Sequence, residues 1–179
     1  MTPVQHTTQA RWFVARTGYG RELRVRDRLA ALGVEYFIPT GTRRNYRGKE
    51  TEHALIPNFV FIRATKKQAC DLKVSCGLPV NYIFDYATHT MMTVRDSQLE
   101  DFRKVLAASI EEGGLVDTEV RLGDRVRVTE GPLAGIEGYV VEIQGKFYLV
   151  VELCLNIFAK ARIPRRSRSV PDITEPLDG

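Results

Sequence analysis

Apolar positions along the first 108 residues recur at helical spacing in some segments and alternate with polar positions in others. In the first predicted helix, from about Arg21 to Leu32, Val25, Leu29 and Leu32 fall at i, i+4 and i+7. The other predicted elements are strands at 11–16, 34–38, 55–63, 79–84 and 91–94, a hairpin at 43–51, and helices at 66–74 and 96–108. This order predicts an α+β sandwich, in which helices pack on an antiparallel sheet.

The pattern changes to short strands and tight turns in the last third of the chain. Val126 and Val128 alternate with polar residues, and glycines at 131, 135 and 138 interrupt the chain before another β-rich run. Strands are predicted near 124–129, 137–143, 146–152 and 157–163, with a further one near 167–170. Five short strands in some fifty residues favour a small closed β-barrel, because closure leaves no open edge.

Composition and charge divide the chain in the same way. Residues 1–110 carry 17 lysines and arginines against 10 acidic residues, whereas residues 111–179 carry 9 against 12. The segment Glu111–Gly114 is polar and lacks apolar periodicity, which predicts a linker. We therefore predict a domain at 10–108, a linker at 109–119, a second domain at 120–170 and a disordered tail at 171–179. The basic first domain is the candidate for binding a polyanion.

Several functional classes are excluded by the sequence. No run of 18 apolar residues could span a membrane, and the N-terminal residues lack the apolar core of a secretory signal, so a cytoplasmic protein is expected. The three cysteines, at 70, 76 and 154, are odd in number, which favours free thiols. Because the histidines at 6, 53 and 89 are isolated and no catalytic motif occurs, we predict no enzyme, no metal and no cofactor.

Two segments of the chain carry a family resemblance. The strand, glycine-rich turn and strand at 122–143 resemble the KOW motif of an SH3-like barrel. The segments WFVARTGYGRELRVRDRL, FIP and PNFVFI resemble the N-terminal (NGN) domain of the NusG family, and are most similar to its RfaH and UpxY type of specialised paralogue. This resemblance implies a transcription elongation and antitermination factor that binds RNA polymerase and suppresses pausing at specific operons, such as capsular polysaccharide loci.

The strand that contains Phe59 and Phe61 is the candidate polymerase-binding surface. Both rings point to the face opposite Val60 and Ile62, so they lie exposed if that other face meets the helices. The resemblance implies that Phe59 and Phe61, with the preceding Pro57 and Asn58, bind the clamp helices of RNA polymerase. The alternative is that all four strand residues are core. The sequence departs from the RfaH type at Arg16, where those proteins present a tyrosine, so the apolar patch is expected to be smaller or partly electrostatic.

Two basic clusters are the candidate nucleic-acid contacts. Arg21, Arg24 and Arg28 form a stripe along the first helix, and the resemblance places this region on the non-template DNA strand of the transcription bubble. The alternative is a solvated face, partly neutralised by neighbouring acids. The second cluster consists of hairpin residues that could reach upstream DNA or nascent RNA, or could simply protect a sheet edge: Arg43, Arg44, Arg47 and Lys49, with Tyr46 among them.

The remaining expectations concern partners. By position within the family, Gln68 and Asp71 correspond to a region that touches the opposite side of the polymerase cleft. In other members the KOW domain binds Rho or a ribosomal protein, or masks the docking face. A monomer is expected. The alternatives to a specialised paralogue are a housekeeping factor that couples polymerase to Rho or the ribosome, and a ribosome-associated RNA-binding protein.

Overall fold

The computed structural model describes residues 9–108, 114–115, 123–163 and 174–176. The helices among them are α1 (Glu22–Ala31), α2 (Lys66–Val74) and α3 (Asp96–Ala108). The first nine strands are β1 (Arg11–Arg16), β2 (Glu35–Phe37), β3 (Thr40–Arg44), β4 (Glu50–Ala54), β5 (Phe59–Ala64), β6 (Asn81–Tyr82), β7 (Phe84–Asp85), β8 (Thr90–Met91) and β9 (Thr93–Val94). The later strands are β10 (Gly114–Leu115), β11 (Arg125–Val128), β12 (Glu137–Ile143), β13 (Lys146–Cys154), β14 (Ile157–Ile163) and β15 (Thr174–Pro176).

The chain divides into two compact units, Met1–Asp96 and Ser97–Gly179. The division falls at the beginning of α3, rather than in the predicted linker after it. Of that linker, the described residues are Gly114–Leu115, and they form a strand paired with β14. The prediction of a disordered tail is wrong for Thr174–Pro176, because these residues pair with β11. The predicted strand near 167–170 lies outside the described residues.

The first unit is built on an antiparallel sheet in the order β2-β5-β1-β6, with β9 also paired to β1. One face packs against α1 and α2 through Val60 and Ile62 from the sheet, Val25 and Leu29 from α1, and Leu72 from α2. The seam predicted for α1 is therefore buried as expected at Val25 and Leu29, whereas Leu32 is exposed at the helix end. The mixed helix and antiparallel-sheet architecture predicted for this part of the chain is confirmed.

Two strands of this unit are shorter than predicted. The strand predicted at 55–63 begins at Phe59, because Pro57 and Asn58 form a turn in which Asn58 has a left-handed backbone (φ 67°). The strand predicted at 79–84 is divided at Ile83, whose N–H donates to the carbonyl oxygen of Val14. From there β7 pairs with β8 in a separate hairpin.

The second unit contains an antiparallel sheet in the order β10-β14-β13-β12-β11-β15. Val126, Val128, Leu149 and Val151 are buried. In β12, however, Val141 is buried while Val140 and Ile143 are only half-buried. In the part of the chain that the structure describes, no pairing joins β10 to β15, so the closed SH3-like barrel is not confirmed.

The glycines of this sheet have different structural roles. Gly131 and Gly135 adopt positive φ values of 84° and 85°, as the predicted turn requires. Gly138 lies inside β12, where a Cβ atom would come within 2.6 Å of the carbonyl oxygen of Val150. Its role is therefore close backbone approach, rather than the turn geometry predicted from the sequence.

Candidate functional site

Two hydrogen bonds fix the backbone of Asn58 in the turn before β5. Its N–H donates to the carboxylate of Glu22 at 2.7 Å, and its carbonyl oxygen accepts from the N–H of Thr17 at 2.9 Å. The hydroxyl of Thr17 in turn donates to the carbonyl oxygen of Pro79. Glu22 is 4% exposed, although the sequence suggested a solvated acid that offsets the arginine stripe. The signal for its burial was its position three residues before Val25, on the apolar face of α1.

The two phenylalanines of β5 differ in exposure. Both lie on the sheet face opposite α1 and α2, because Val60 and Ile62 occupy the face that packs against these helices. Phe59 is half-buried, whereas Phe61 has 0% exposure, so the expectation that both rings are exposed is wrong for Phe61. The physical reason is that this part of the opposite face is itself buried: Val14, which pairs with Phe61 from β1, has no exposed surface, and the Phe61 ring lies 5.9 Å from that of Phe37. Phe59 begins the strand and stacks on Phe61 at 6.5 Å.

Arg16 gives the surface around Phe59 a cationic component. It pairs in register with Phe59, and its guanidinium carbon lies 5.1 Å from the centre of the Phe59 ring. This distance is within the range of a cation–π contact. Pro57 is exposed beside them. Phe59, Arg16 and Pro57 therefore form a small surface, here called the Phe59 surface, that is both apolar and positively charged, as the departure at Arg16 led us to expect.

The three arginines of the predicted stripe do not share one environment. Arg21 is the residue before the first turn of α1, and Arg24 is exposed. Neither forms an ion pair with another residue in the described ranges. Arg28 instead donates to the carbonyl oxygens of Cys76 and Gly77, which ties α1 to the loop after α2. Arg21 and Arg24 are thus available to a phosphate, whereas Arg28 has a structural partner.

A contact absent from the sequence-based predictions joins α1 to the basic hairpin. Arg26 donates to the carboxylate of Glu52 on β4 at 2.6 Å and to that of Asp27 at 3.1 Å. The hydrogen bond from Arg26 lowers the pKa of Glu52, and the same bond raises the pKa of Arg26. This bridge fixes the hairpin relative to the helix that carries Arg21 and Arg24.

Replacement of Arg26 by alanine is expected to raise the pKa of Glu52 toward its ordinary value. Because the pKa of Glu52 is lowered in the folded protein, the bridge stabilises the fold above the pKa of an unfolded glutamate, and this contribution is lost as the pH falls through the lowered value. NMR titration of the Glu52 carboxyl carbon measures the change. An Arg43→Ala protein is the control, since Arg43 forms no hydrogen bond or ion pair with Glu52. Equal titration curves for Glu52 in the wild-type and Arg26→Ala proteins would contradict the assignment.

The basic hairpin is formed by β3 and β4, with its turn at 45–49. The side-chain oxygen of Asn45 accepts from the N–H groups of Arg47 and Lys49, and Gly48 has a positive φ of 77°. Tyr46 is 89% exposed, and the guanidinium of Arg47 lies 5.2 Å from its ring centre. Arg44 pairs with Glu50 at 3.0 Å. The hairpin therefore presents Tyr46, Arg43, Arg47 and Lys49 at an ordered tip.

The remaining candidates have local structural roles. Gln68 completes a capping box with Thr65 at the beginning of α2 and lines, with Asp71, a cavity of about 450 Å³ in the first unit. Cys70 and Cys76 are exposed thiols, while burial raises the pKa of Cys154 to about 12. Among the described residues there is no group of three His, Cys, Asp or Glu side chains that could hold a metal ion. In the same residues no helix is long and apolar enough to cross a membrane.

The second unit presents little exposed aromatic surface on β13 and β14. Tyr148 is buried, and Phe147, Ile157 and Phe158 are half-buried. Arg125 and Arg127 both donate to the carboxylate of Glu137 across β11 and β12, and the bond from Arg127 is the main cause of the lowered pKa of Glu137. These cations are therefore partly neutralised within their own sheet.

Comparisons with known proteins agree with this architecture. The family described as transcription termination factor nusG matches residues 10–103, which is just over half of the chain. A transcription termination/antitermination protein NusG of Streptococcus pyogenes serotype M1 is 26% identical over 165 residues, covering 85% of this chain and 89% of that protein. The protein of the same name from Lactococcus lactis is 26% identical over 157 residues, covering 79% of this chain and 83% of the relative.

Proposed function

The chain belongs to the NusG family of transcription factors and is not an enzyme, and from this premise we propose that it is a specialised antiterminator of the RfaH and UpxY type. In this proposal the Phe59 surface binds the clamp helices of RNA polymerase. Arg21 and Arg24 contact the non-template DNA strand of the bubble. A factor that bridges the polymerase cleft in this way holds the enzyme closed and suppresses pausing and termination, without a chemical step or a cofactor.

The observation that carries the proposal is the position of Phe59. It is partly exposed at the beginning of a central strand, on the face opposite the two covering helices, and Arg16 lies over its ring. An aromatic ring beside an arginine is typical of the few interface residues that supply most of the binding energy. The same arginine adds attraction to an acidic group on the partner. Phe61 supports the ring of Phe59 from within the sheet and is not itself part of the binding surface.

The DNA contact is proposed for fewer residues than the sequence suggested. Arg21 and Arg24 are exposed just before and within the first turn of α1, while Arg28 is engaged with Cys76 and Gly77. The hairpin tip adds Arg43, Arg47 and Lys49, with Tyr46 able to stack on a base. Each phosphate contact contributes about one unit to the salt dependence of binding.

Transcription by purified RNA polymerase from the source organism tests the docking surface. The wild-type protein is expected to increase read-through of a terminator, and Phe59→Ala is expected to need a roughly tenfold higher concentration for the same effect, as loss of a central interface residue predicts. Val74→Ala is the matched control, because Val74 is an exposed apolar residue at the end of α2. Equal activity of wild type and Phe59→Ala would refute the docking assignment.

In the same complexes, Arg24→Ala is expected to reduce crosslinking to the non-template strand and to retain polymerase binding.

The second candidate is a general factor that couples polymerase to Rho or to the ribosome. It is favoured by the relatives from Streptococcus and Lactococcus, whose names include both termination and antitermination and which align with most of this chain. Addition of purified Rho to the same transcription reaction separates the candidates. A general factor increases Rho-dependent termination, whereas a specialised antiterminator reduces it.

A further inference from the structure

A small cavity lies in the first unit, on the sheet face opposite the Phe59 surface, and its lining includes none of the α1 arginines. It has a volume of about 140 Å³ and lies between the beginning of β1, the beginning of α2 and the strands β8 and β9. Its lining residues are Gln9, Arg11, Phe13, Lys66, Thr90, Met91 and Thr93. At about 30 Å³ for each water molecule, this space holds several waters and can accept a group such as a phosphate.

The lining of this cavity suits an anion. Two of its side chains, Arg11 and Lys66, are cationic, three others are neutral hydrogen-bonding groups, and none is a carboxylate. Among the described residues, neither Arg11 nor Lys66 forms an ion pair with another side chain. Two cations that face one cavity repel each other. A bound anion offsets this electrostatic repulsion, which is present in the free protein. The cavity is here called the Arg11–Lys66 cavity.

An exposed aromatic pair stands beside this cavity on the β7–β8 hairpin. Phe84 is 44% exposed and Tyr86 is 81% exposed, and their rings meet edge to face at 5.4 Å. Met91 connects the two features, because it lines the cavity and pairs in register with Phe84. Residues that pair directly across an antiparallel ladder lie on the same face of the hairpin. The aromatic pair and the cavity therefore lie next to each other on one side of the molecule.

Hydrogen bonds within the hairpin hold the aromatic pair in place. The carboxylate of Asp85 accepts from the N–H of Ala87 and from the hydroxyl of Thr88, both at 2.9 Å, and the hydroxyl of Thr88 also meets that of Thr90 at 2.9 Å. The bond from Thr88 is the main cause of the lowered pKa of Asp85. The carboxylate of Asp85 is thus engaged by hydrogen bonds inside the turn, and Asp85 does not itself line the cavity.

We propose that the Arg11–Lys66 cavity and the Phe84–Tyr86 pair together form a binding site for single-stranded nucleic acid. Arg11 and Lys66 bind one backbone phosphate, with a hydrogen bond available from the hydroxyl of Thr93. A neighbouring base stacks on the exposed ring of Tyr86. A single strand fits this combination better than a duplex, since only an unpaired base can leave its stack and lie on an aromatic side chain. An acidic protein segment would use the cations but would leave the aromatic rings without a matching group.

This proposal does not depend on polymerase binding, so it is tested with the full-length protein alone. The probes are fluorescein-labelled oligomers of uridine and of thymidine about 12 nucleotides long, a length that covers one small binding site. Fluorescence anisotropy at several salt concentrations gives the affinity and its salt slope. Tyr86→Ala is expected to weaken binding about fivefold or more with an unchanged slope, because it removes a stacking contact. Arg11→Ala and Lys66→Ala are each expected to lower the slope by about 0.7, because each removes a phosphate contact to a single strand.

Lys67→Ala is the matched control, since Lys67 is an exposed neighbour of Lys66 that does not line the cavity. If Lys67→Ala weakens binding as much as Lys66→Ala, binding follows net charge and the site is refuted. The effects of Tyr86→Ala and Lys66→Ala must also persist in an Arg24→Ala protein, which separates this site from the α1 arginines. If the Lys66→Ala protein loses affinity for polyglutamate but not for the oligonucleotides, the cavity binds an acidic protein segment instead. Circular dichroism of each variant confirms that the fold is intact.

Discussion

Phe61→Ala is expected to lower the free energy of unfolding by about 3–5 kcal/mol, the range found when a buried phenylalanine is truncated. The ring has no exposed surface, and it is surrounded within the sheet by Phe37, Phe59 and the strands β1 and β2. A cavity at the centre of a sheet cannot close without shifting the backbone. Chemical denaturation of the full-length protein measures the loss.

Phe59→Ala is the matched control for this measurement. It removes the same number of atoms two residues away in the same strand, but at a half-buried position at the strand end. Its destabilisation is expected to be well below that of Phe61→Ala, although its effect on polymerase binding is larger in the proposed mechanism. A double alanine variant would mix these effects, so the two phenylalanines are tested separately. Similar destabilisation by both variants would mean that Phe59 is a core residue rather than a binding residue.

Glu22→Ala is expected to destabilise the protein by about 1 kcal/mol or more, because it leaves a partly buried hydrogen-bond donor without its partner. The donor is the N–H of Asn58, which bonds to the Glu22 carboxylate at 2.7 Å. Asn58 has a left-handed backbone, which non-glycine residues adopt only when the surrounding structure holds them there. Loss of Glu22 therefore loosens the turn that sets the position of Phe59. We expect reduced antitermination at temperatures where the protein remains folded.

Two substitutions identify the cause of this effect. Glu22→Gln retains an oxygen that can accept the Asn58 N–H, so it is expected to be milder than Glu22→Ala in denaturation and in transcription. Asp27→Asn changes an exposed acid of the same helix and is expected to leave both measurements nearly unchanged. If Glu22→Gln were as harmful as Glu22→Ala, the negative charge of Glu22 rather than its hydrogen bond would be the stabilising feature.

Helices were predictable from this sequence to within one or two residues, because their apolar repeats are local. The repeat at Val25 and Leu29 needs only the packing surface of β1 and β5 to become buried. The period-2 pattern of β12 was less informative. A valine follows a valine there, so the pattern could not decide whether Val140 or Val141 faces inward. The predicted start of β5 was wrong because the apolar run continued through Leu55 and Ile56, although the Pro57-Asn58 step was itself a turn signal.

The candidate site was only partly predictable, because several of its residues are defined by distant partners. The sequence located Phe59, Arg21 and Arg24 correctly as residues with exposed surface. It could not show that Arg28 bonds to carbonyl groups 48 and 49 positions away. The burial of Phe61 depends likewise on the strand order β2-β5-β1, which places neighbours on both sides of it. Local patterns cannot reveal such pairings.

If α1 and the hairpin tip bind nucleic acid as proposed, the bridge between Arg26 and Glu52 holds these two binding surfaces at one spacing. Once a nucleic-acid chain occupies one of the two cationic surfaces, its encounter with the other is intramolecular and is governed by effective concentration. The gain in avidity then depends on how well the reach of the strand matches that spacing, more than on the strength of either contact. In the proposed mechanism, length selectivity for polyanions therefore depends on an ion pair that itself need not touch the bound chain.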